Sequence, residues 1–394
     1  MLNRRQHLAW LAALTTAPLL RANDPAAKLD LAPNSVLLQG ASNRLKRWLA
    51  DPAALQLQVC YTQVINGKPQ PTRYFRKDAH WFAAASLVKL PLAAFMLESL
   101  EAKGLDFRRL NIAFPDMPSC AERADELRKP QPIMRVLERA LVQSDDSSYC
   151  ALYDFLGPAA IDARFRSLGD AGVRIQARFG SCGPEGSRIA AGYVLSENTK
   201  PVLMRPALAS WPLKRSEIPT LVGKAWRSGT KLIQGAKDFS DSNTLPLHVA
   251  HRLLIALRYP GAMPTAARFN LREASRLELL RLLSCAPAQT RYLSAAEQKQ
   301  PPHTFRLLGA GDGRWPSGLQ ICGKVGWAYG FLSDVAHLKD AEHECFISCA
   351  SYLNADQVLN DGAYEYDSIG RPLMAELGRL LLSQSPAHSG SLML

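Results

Sequence analysis

The sequence predicts an α+β fold: a mainly antiparallel sheet, made from both ends of the chain and flanked by helices, with a helical subdomain inserted between those ends. Residues 55–62 alternate between apolar and polar side chains as a half-buried strand does, and Asn66 and Gly67 after them indicate a hairpin turn. Strand patterns return over 321–338 and 344–353, near the other end. The segments between have mainly helical periodicity, so we expect the two ends to meet in one sheet.

The predicted elements follow in chain order. An amphipathic helix over 41–49 precedes the first strand, and a second strand lies near 73–75. The next helix, over 87–100, is apolar around nearly its whole circumference, which is typical of a helix buried in the centre of a domain. Further helices are predicted over 133–141, 147–156, 247–257, 272–283 and 369–382. We therefore assign about 41–85 and 303–394 to an α/β part, and about 86–302 to a helical part.

The first 22 residues have the order of a secretory signal. The charged pair Arg4–Arg5 comes before an apolar run over 8–20 and a small residue, Ala22, that is suited to cleavage. The arginine pair is also similar to a twin-arginine signal, so the Sec and twin-arginine routes both stay open. No other apolar run reaches the length of a transmembrane helix. Residues 23–394 are therefore expected to form an exported, periplasmic protein without a stable membrane span.

The composition limits the classes of partner. The chain has a formal net charge of +12, from 47 Lys and Arg residues and 35 Asp and Glu residues. These basic residues are spread along the chain rather than gathered in one tract with interleaved aromatics, which argues against a nucleic-acid surface. A basic protein suits a substrate that bears a carboxylate, or an anionic cell envelope. We expect a small-molecule or peptide substrate, no nucleic-acid partner and a monomer.

The eight cysteines contain no Cys-x-x-Cys pair and have no metal-ligand spacing. In an exported protein, disulfides are possible among Cys120, Cys150 and Cys182, and the sequence leaves the pairing open. Cys345 and Cys349 alternate with apolar residues in a predicted strand, and we interpret them as small buried hydrophobes.

His248 and His251 are the one close histidine pair in the sequence, and such a pair can be part of a metal site. Because no carboxylate or third ligand lies near it in the sequence, the pair is interpreted as part of a helix surface. No metal and no cofactor are predicted.

Ser86 and Lys89 are the anomaly in the apolar helix over 87–100. Three residues apart, they lie on one helical face, so the amine can reach the hydroxyl. Burial would lower the pKa of Lys89, and the amine could then take the serine proton, which makes a nucleophile without histidine. The alternative is a helix N-terminal serine beside a lysine that extends to solvent. A second Ser-x-x-Lys copy, Ser228 to Lys231, is interpreted as a solvated loop because no apolar helix follows it.

A second polar group, Ser144-Asp145-Asp146, lies in a predicted loop between two helices. A hydroxyl presented there into a cleft can relay a proton to a leaving group. The alternative is an ordinary helix cap, in which Ser144 or Asp145 caps the helix over 147–156.

A third group, Lys324-Val325-Gly326-Trp327, lies in a strand-like region with flanking glycines that allow backbone to approach a ligand. Lys324 would offer positive charge to a substrate carboxylate. The backbone N–H of Trp327, with that of Ser86, could form an oxyanion hole. The alternative is a β-hairpin with a surface lysine.

The three groups, in this order, resemble the Ser-x-x-Lys, Ser-Asp-Asn and Lys-Thr-Gly set of class A β-lactamases and penicillin-binding proteins. The sequence over 323–331 looks most like the β-lactamase-related serine hydrolases. The long interval before the third group implies an insertion at about 200–300, which we expect to wall one side of the cleft.

The resemblance implies a role for each residue. Ser86 would be the acylated nucleophile and Lys89 its base, while Ser144 would relay the proton. Asp146 stands where the family's asparagine contacts the substrate, and Lys324 would bind the carboxylate.

The departures from the family pattern are also informative. Asp146 replaces an asparagine and removes its amide donors, and Val325 replaces a threonine hydroxyl. Class A enzymes also use a glutamate on a later loop to activate the deacylating water. Glu185 is the nearest candidate, and Glu197 is a second; the alternative for each is a solvated loop acid.

We therefore expect an exported, cofactor-free serine hydrolase that acts through an acyl-Ser86 ester. The function that the resemblance favours is a β-lactamase. The alternatives are a D-alanyl-D-alanine peptidase or esterase-like hydrolase of the same superfamily, and a non-catalytic envelope binding protein.

Overall fold

The computed structural model describes residues 28–32, 34–216, 220–299, 307–308 and 317–387. The expected export signal over 1–22 lies outside these residues. Within them, none of the helices combines the length and the apolar character that crossing a membrane requires.

The described residues form ten α-helices and fifteen strands. The helices are α1 (Asn43–Ala50), α2 (Lys89–Ala102), α3 (Ala124–Leu127), α4 (Ile133–Leu141), α5 (Asp146–Leu156), α6 (Pro158–Ser167), α7 (Leu247–Arg258), α8 (Glu273–Leu282), α9 (Ala295–Gln298) and α10 (Arg371–Ser383). The strands are β1 (Gln58–Ile65), β2 (Lys68–Pro69), β3 (Arg73–Phe75), β4 (Leu110–Ala113), β5 (Gln131–Pro132), β6 (Tyr193–Glu197), β7 (Lys200–Arg205), β8 (Leu221–Val222), β9 (Ala225–Ser228), β10 (Lys231–Gln234), β11 (Lys237–Asp238), β12 (Gln320–Ala328), β13 (Phe331–Lys339), β14 (Glu344–Tyr352) and β15 (Val358–Leu359).

The main sheet joins the two ends of the described chain, as the sequence predicts. Its order is β12-β13-β14-β1-β2, with β3 also paired to β1, and all its pairings are antiparallel. Along β14 the side chains alternate between two apolar clusters: Phe346 packs with the helical part that includes α2 and α7, and Ile347 packs with α1 and α10. Because both faces are covered, every residue of β14 is buried.

Helix α2 lies in the centre of the helical part. Every residue from Lys89 to Leu97 is buried, which confirms the prediction drawn from its apolar circumference. Helix α4 covers the predicted residues 133–141, and α5 begins one residue before the predicted start at 147.

The part predicted to be mainly helical also contains strands that the sequence did not reveal. Strands β5-β4-β6-β7 form a four-stranded sheet, and β9 and β10 form a hairpin that also pairs with β15. These strands are short and several are largely exposed, so their side chains lack the apolar alternation that marks a half-buried strand. The second Ser-x-x-Lys copy lies on this hairpin: Ser228 and Lys231 are exposed as predicted, but in strands rather than in a loop.

The prediction of a helix surface is wrong for His251. This residue of α7 is buried, and its ring nitrogens lie 2.9 Å from the Thr62 hydroxyl and 2.7 Å from the Ser348 hydroxyl. It therefore ties α7 to β1 and β14. No group of three metal-ligating side chains occurs among the residues that the structure covers.

The cysteines divide into one disulfide and buried thiols. Cys120 and Cys182 form a disulfide, which settles the pairing that the sequence left open. Cys150, the third candidate, is a buried free thiol. Cys345 and Cys349 are fully buried in β14, as predicted.

Candidate active site

Ser86 lies in a 3-10 turn, Ala85–Val88, that leads directly into α2. Ala85 has a φ of 43°, in the left-handed region that residues other than glycine rarely adopt, so the chain is strained immediately before the serine. The Leu87 amide donates to the Ala84 carbonyl at 3.0 Å and closes the turn. Ser86 is 8% exposed and opens onto a cavity.

Lys89 begins α2 and is completely buried. Its ammonium nitrogen donates to Ser86 Oγ at 2.8 Å and to Asp146 Oδ1 at 2.6 Å, and it also contacts the Ser144 carbonyl oxygen. Burial lowers the pKa of Lys89, and the neighbouring Asp146 carboxylate opposes that shift. The lysine thus does not extend to solvent, and the alternative interpretation of the Ser86 and Lys89 pair is wrong.

The loop between α4 and α5 presents Ser144 to both lysines. Asp145, not Ser144, caps α5, because its Oδ2 accepts from the Ser148 amide at 2.7 Å. Burial raises the pKa of Asp145, but the nearby Arg139 and the hydrogen bonds from Ser147 and Ser148 lower it more. The pKa of Asp145 is therefore below the usual value. Ser144 has a φ of 61°, a second strained residue beside the site.

Lys324 on β12 is the second buried lysine. It is 1% exposed, and its Nζ donates to Ser144 Oγ at 2.7 Å and to the Val325 carbonyl at 3.2 Å. Burial, and then the nearby charge of Lys89, lower the pKa of Lys324 well below its usual value. Lys324 is therefore not a surface lysine. Ser144 lies between two amines that are both hard to keep charged, which suits a hydroxyl that passes a proton.

Gly326 lets β12 approach the turn that carries Ser86. A Cβ at this position would lie 2.5 Å from the Ala84 carbonyl oxygen, closer than real side chains approach a backbone. Trp327 follows it, is 37% exposed and lines the same cavity as Ser86. The backbone around Trp327 and Ser86 thus faces one space.

That cavity has a volume of about 740 Å³. It has aromatic walls, formed by Trp81, Phe179, Phe239, Trp327, Tyr329, Tyr364 and Tyr366. Phe239 and Asn243 come from the expected insertion at about 200–300, which confirms that this segment walls one side of the cleft. Asp146 is the one residue with a carboxylate among the described residues that line the cavity.

Phe179 is a residue that the sequence analysis missed. Its ring centroid lies 5.3 Å from Lys89 Nζ, and the ring stacks on Tyr149 with centroids 4.0 Å apart. Arg178, which directly precedes Phe179, is held by a buried ion pair with Asp154. The loop that follows α6 therefore presents an aromatic ring, not a carboxylate, to Lys89. No motif marks such a residue, because its role depends on contacts between distant segments.

The two glutamates considered from the sequence lie elsewhere. The Glu185 side chain is 75% exposed and pairs with Arg188 at 3.2 Å, and Glu185 is not among the residues that line the cavity. Glu197 lies at the end of β6 and pairs with Arg109. The structure therefore brings together Ser86 and its predicted partners on α2, α5 and β12, but it does not place either glutamate with them.

The comparisons with known proteins agree with this arrangement. Residues 40–204 match the β-lactamase enzyme family, and no curated protein matches the chain in sequence. Among solved structures, the chain is similar to a β-lactamase from Desulfarculus baarsii, with 20% identity and a TM-score of 0.51 over 87% of this chain and 97% of that one. It is also similar to a β-lactamase from Burkholderia vietnamiensis (14% identity, TM-score 0.52, 89% and 96% covered) and to the chromosome-encoded β-lactamase of Vibrio parahaemolyticus (17% identity, TM-score 0.50, 85% and 96% covered). At these identities, the likeness establishes the fold.

Proposed function

We propose that the chain is a β-lactamase-related serine hydrolase that hydrolyses the amide bond of β-lactams through an ester on Ser86; the family match over residues 40–204 and the shared fold support this proposal. The observation that carries the proposal is one set of hydrogen bonds: Lys89 Nζ to Ser86 Oγ at 2.8 Å, and Lys324 Nζ to Ser144 Oγ at 2.7 Å. Lys89, the proposed base, thus lies within hydrogen-bond reach of the proposed nucleophile Ser86, and its Nζ also lies 3.5 Å from the hydroxyl of the proposed relay Ser144.

Acylation begins when the neutral amine of Lys89 takes the proton of Ser86. The serine oxygen attacks the lactam carbonyl carbon, and the backbone N–H groups of Ser86 and Trp327 stabilise the negative charge that develops on the carbonyl oxygen. The C–N bond then breaks, and the Ser144 hydroxyl gives its proton to the leaving nitrogen. Ser144 recovers a proton from Lys89, whose Nζ lies 3.5 Å from Ser144 Oγ.

Lys324 would hold the substrate carboxylate at the end of the cavity. A carboxylate beside the amine would favour its charged form, so binding itself would restore a proton to a lysine whose pKa burial has lowered. The family threonine hydroxyl is absent at Val325, so we expect weaker binding of the β-lactam carboxylate than in class A enzymes.

A D-alanyl-D-alanine peptidase, or a related esterase-like hydrolase, is the second candidate. The observation that favours it is Phe179, whose ring faces Lys89 where a water-activating carboxylate would be useful. If deacylation is slow, a β-lactam that acylates Ser86 would stay attached to the enzyme. We place either activity in the periplasm, on account of the signal expected over 1–22.

The proposal is tested by mixing the protein with a chromogenic cephalosporin and following colour and intact mass, with Ser86→Ala in parallel. Colour without a lasting adduct, abolished by the substitution, supports a β-lactamase. A persistent adduct on Ser86 supports the peptidase. If neither colour nor adduct forms, the β-lactam proposal fails, and the binding-protein alternative becomes the better hypothesis.

A further inference from the structure

We infer that Asp146 is the base that activates the deacylating water, the task that class A enzymes give to a glutamate on a separate loop. This inference rests on the proposed acyl-Ser86 intermediate. It concerns the second half of the reaction, for which the sequence offered only Glu185 and Glu197.

Asp146 and Ser86 both contact Lys89 Nζ and therefore lie close together. Asp146 Oδ1 lies 2.6 Å from Lys89 Nζ, and Ser86 Oγ lies 2.8 Å from the same nitrogen. The two oxygens can therefore be no farther apart than about 5.4 Å, the sum of those distances. Hydrogen bonds from an ammonium favour a near-tetrahedral angle at the nitrogen, which brings the two oxygens closer than this limit, and one water that bonds to both at about 2.8 Å then fits on the side away from Lys89 Nζ.

The Asp146 carboxylate is accessible from the cavity. The Asp146 side chain is 51% exposed and lines the cavity together with Ser86. Water in the cavity can therefore reach the second carboxylate oxygen of Asp146. Lys89 occupies only Oδ1. A carboxylate with one oxygen anchored and the other facing a solvated cavity can accept a proton without leaving its place.

Glu185, the nearest candidate from the sequence, lies away from the cavity lining. The Glu185 carboxylate points to solvent, where it pairs with Arg188, and the loop that carries it presents Phe179 to Lys89 instead. Arg178 and the Cys120–Cys182 disulfide hold that loop, so a large shift of Glu185 into the cavity would break a buried ion pair. Asp146 is the carboxylate already in place.

The step balances without another reactant. Asp146 takes a proton from water, and the hydroxide adds to the carbonyl carbon of the Ser86 ester. As the intermediate collapses, the bond from that carbon to Ser86 Oγ breaks. The proton on Asp146 passes through Lys89 to the serine oxygen, and the product leaves as a carboxylic acid. The enzyme is then restored with its original protons.

The test separates acylation from deacylation in Asp146→Asn, which restores the amide found in the family. Each protein is mixed with the cephalosporin and, separately, with p-nitrophenyl acetate, and the burst, the steady rate and the intact mass are recorded. We expect a burst close to one equivalent, an adduct on Ser86, and a steady rate lower by about 100-fold or more. Asp146→Glu, which keeps a carboxylate, should recover part of the steady rate.

The matched control is Asp125→Asn, the same chemical change at a 93% exposed side chain outside the cavity lining, which should turn over like the parent. A full burst from Asp146→Asn shows that the variant is folded. The inference is overturned if this variant turns over at the parent rate, or if an adduct accumulates in Glu185→Gln instead. If p-nitrophenyl acetate acylates Ser86 but the cephalosporin does not, the β-lactam proposal alone fails. The ester kinetics then still test the role of Asp146. If neither reagent acylates Ser86, both proposals fall.

Discussion

At the scale of single residues, two buried lysines share one serine. Ser144 accepts from Lys324 at its hydroxyl and from Lys89 at its carbonyl oxygen, while Asp146 offsets only part of the cost of burying these amines. A structural role alone does not account for two such lysines, since each is expensive to bury in its charged form. A site that needs neutral amines as proton acceptors gains from this burial.

The burial of Lys89 predicts the pH dependence of acylation. Because the base must be neutral, the burst rate should rise with pH and level off at a midpoint below the ordinary lysine value, since burial lowers the pKa of this amine. The Asp146 carboxylate, and behind it Asp145, oppose that shift. Replacement of Asp146 by Asn should therefore move the midpoint to lower pH, which burst rates measured between pH 5 and about 10 would reveal. A midpoint that moves to higher pH would contradict the assignment of Lys89 as the base.

Gly326 gives a second prediction at this scale. In Gly326→Ala the new Cβ meets the Ala84 carbonyl, so β12 and the Ser86 turn must separate. We expect a loss of about 1–3 kcal/mol in the free energy of unfolding and a larger proportional loss of the acylation rate. Denaturant melts and burst kinetics measure the two effects. Gly261→Ala is the control, because nothing lies within 4 Å of a Cβ there. If both variants lose the same free energy of unfolding and the same acylation rate, the close approach at Gly326 does not explain the loss.

These residues also indicate how far sequence reasoning reaches. Ser86, Lys89, Ser144 and Lys324 could be predicted because short motifs fix their spacing within an element. Phe179 could not, since its place over Lys89 depends on a loop held from α5 and through the disulfide to Cys120. A side chain whose role depends on several distant segments leaves no local signal.

At the scale of elements, periodicity predicted the buried helices and strands and missed the exposed ones. Helix α4 matches its predicted bounds because its apolar residues recur at helical spacing, and β14 is close to prediction because it is buried on both faces. Periodicity does not predict strands β7 and β10, because most of their residues are exposed and only backbone pairing with the neighbouring strand holds them in place. For Ser228 to Lys231, basic residues and glycines without an apolar helix predict a solvated loop, whereas the structure has the ends of β9 and β10 there.

His251 supplies a prediction about how α7 is held on the sheet. Burial, with His248 nearby, lowers the pKa of His251 to about 3, whereas in the unfolded chain the ring titrates near its ordinary value of about 6.5. The unfolded state therefore binds the proton first, so stability contributed by the neutral ring is complete above about pH 6.5 and declines as the pH falls toward 3. The slope from this group should approach about 1.4 kcal/mol per pH unit.

The measurement compares the unfolding free energy of the parent and of His251→Asn from pH 7 to pH 4. The variant should be less stable at pH 7, where it loses hydrogen bonds to Thr62 and Ser348, and its stability should fall less steeply with acid. His343→Asn is the control, because its ring is 25% exposed and pairs with Asp340 in the turn before β14. Parallel pH curves for parent and His251→Asn would contradict the explanation.

At the scale of the whole molecule, the fold assembles one cavity from segments far apart in the chain. Trp81 precedes Ser86, Phe239 comes from the segment between β11 and α7, Trp327 comes from β12, and Tyr366 begins the helical turn before α10. The main sheet brings these segments together because its strands derive from both ends of the described chain. The lining has few charged groups and many rings, and that balance should decide which acyl groups the site accepts.

We therefore expect substrates with an aromatic acyl side chain to be preferred over those with a small or anionic one. Trp327 stacks near Tyr366, with ring centroids 5.6 Å apart, and it is still 37% exposed toward the cavity. Trp327→Ala should raise the KM for a phenylacetyl cephalosporin by about 10-fold, with much less effect on kcat, because the ring contributes to binding rather than to the reacting bond. For an acetyl analogue, the same substitution should change the KM only slightly.

The matched control is Trp226→Ala, a tryptophan on the β9–β10 hairpin that packs against Lys237 and lies outside the cavity lining. Its kinetics with both analogues should match the parent. If Trp327→Ala instead lowered kcat for the phenylacetyl and acetyl substrates alike, the ring would be acting on the backbone N–H of its own residue. The preference would then belong to the oxyanion hole rather than to the aromatic wall, and replacing Trp81 or Tyr366 with Ala should leave the preference intact.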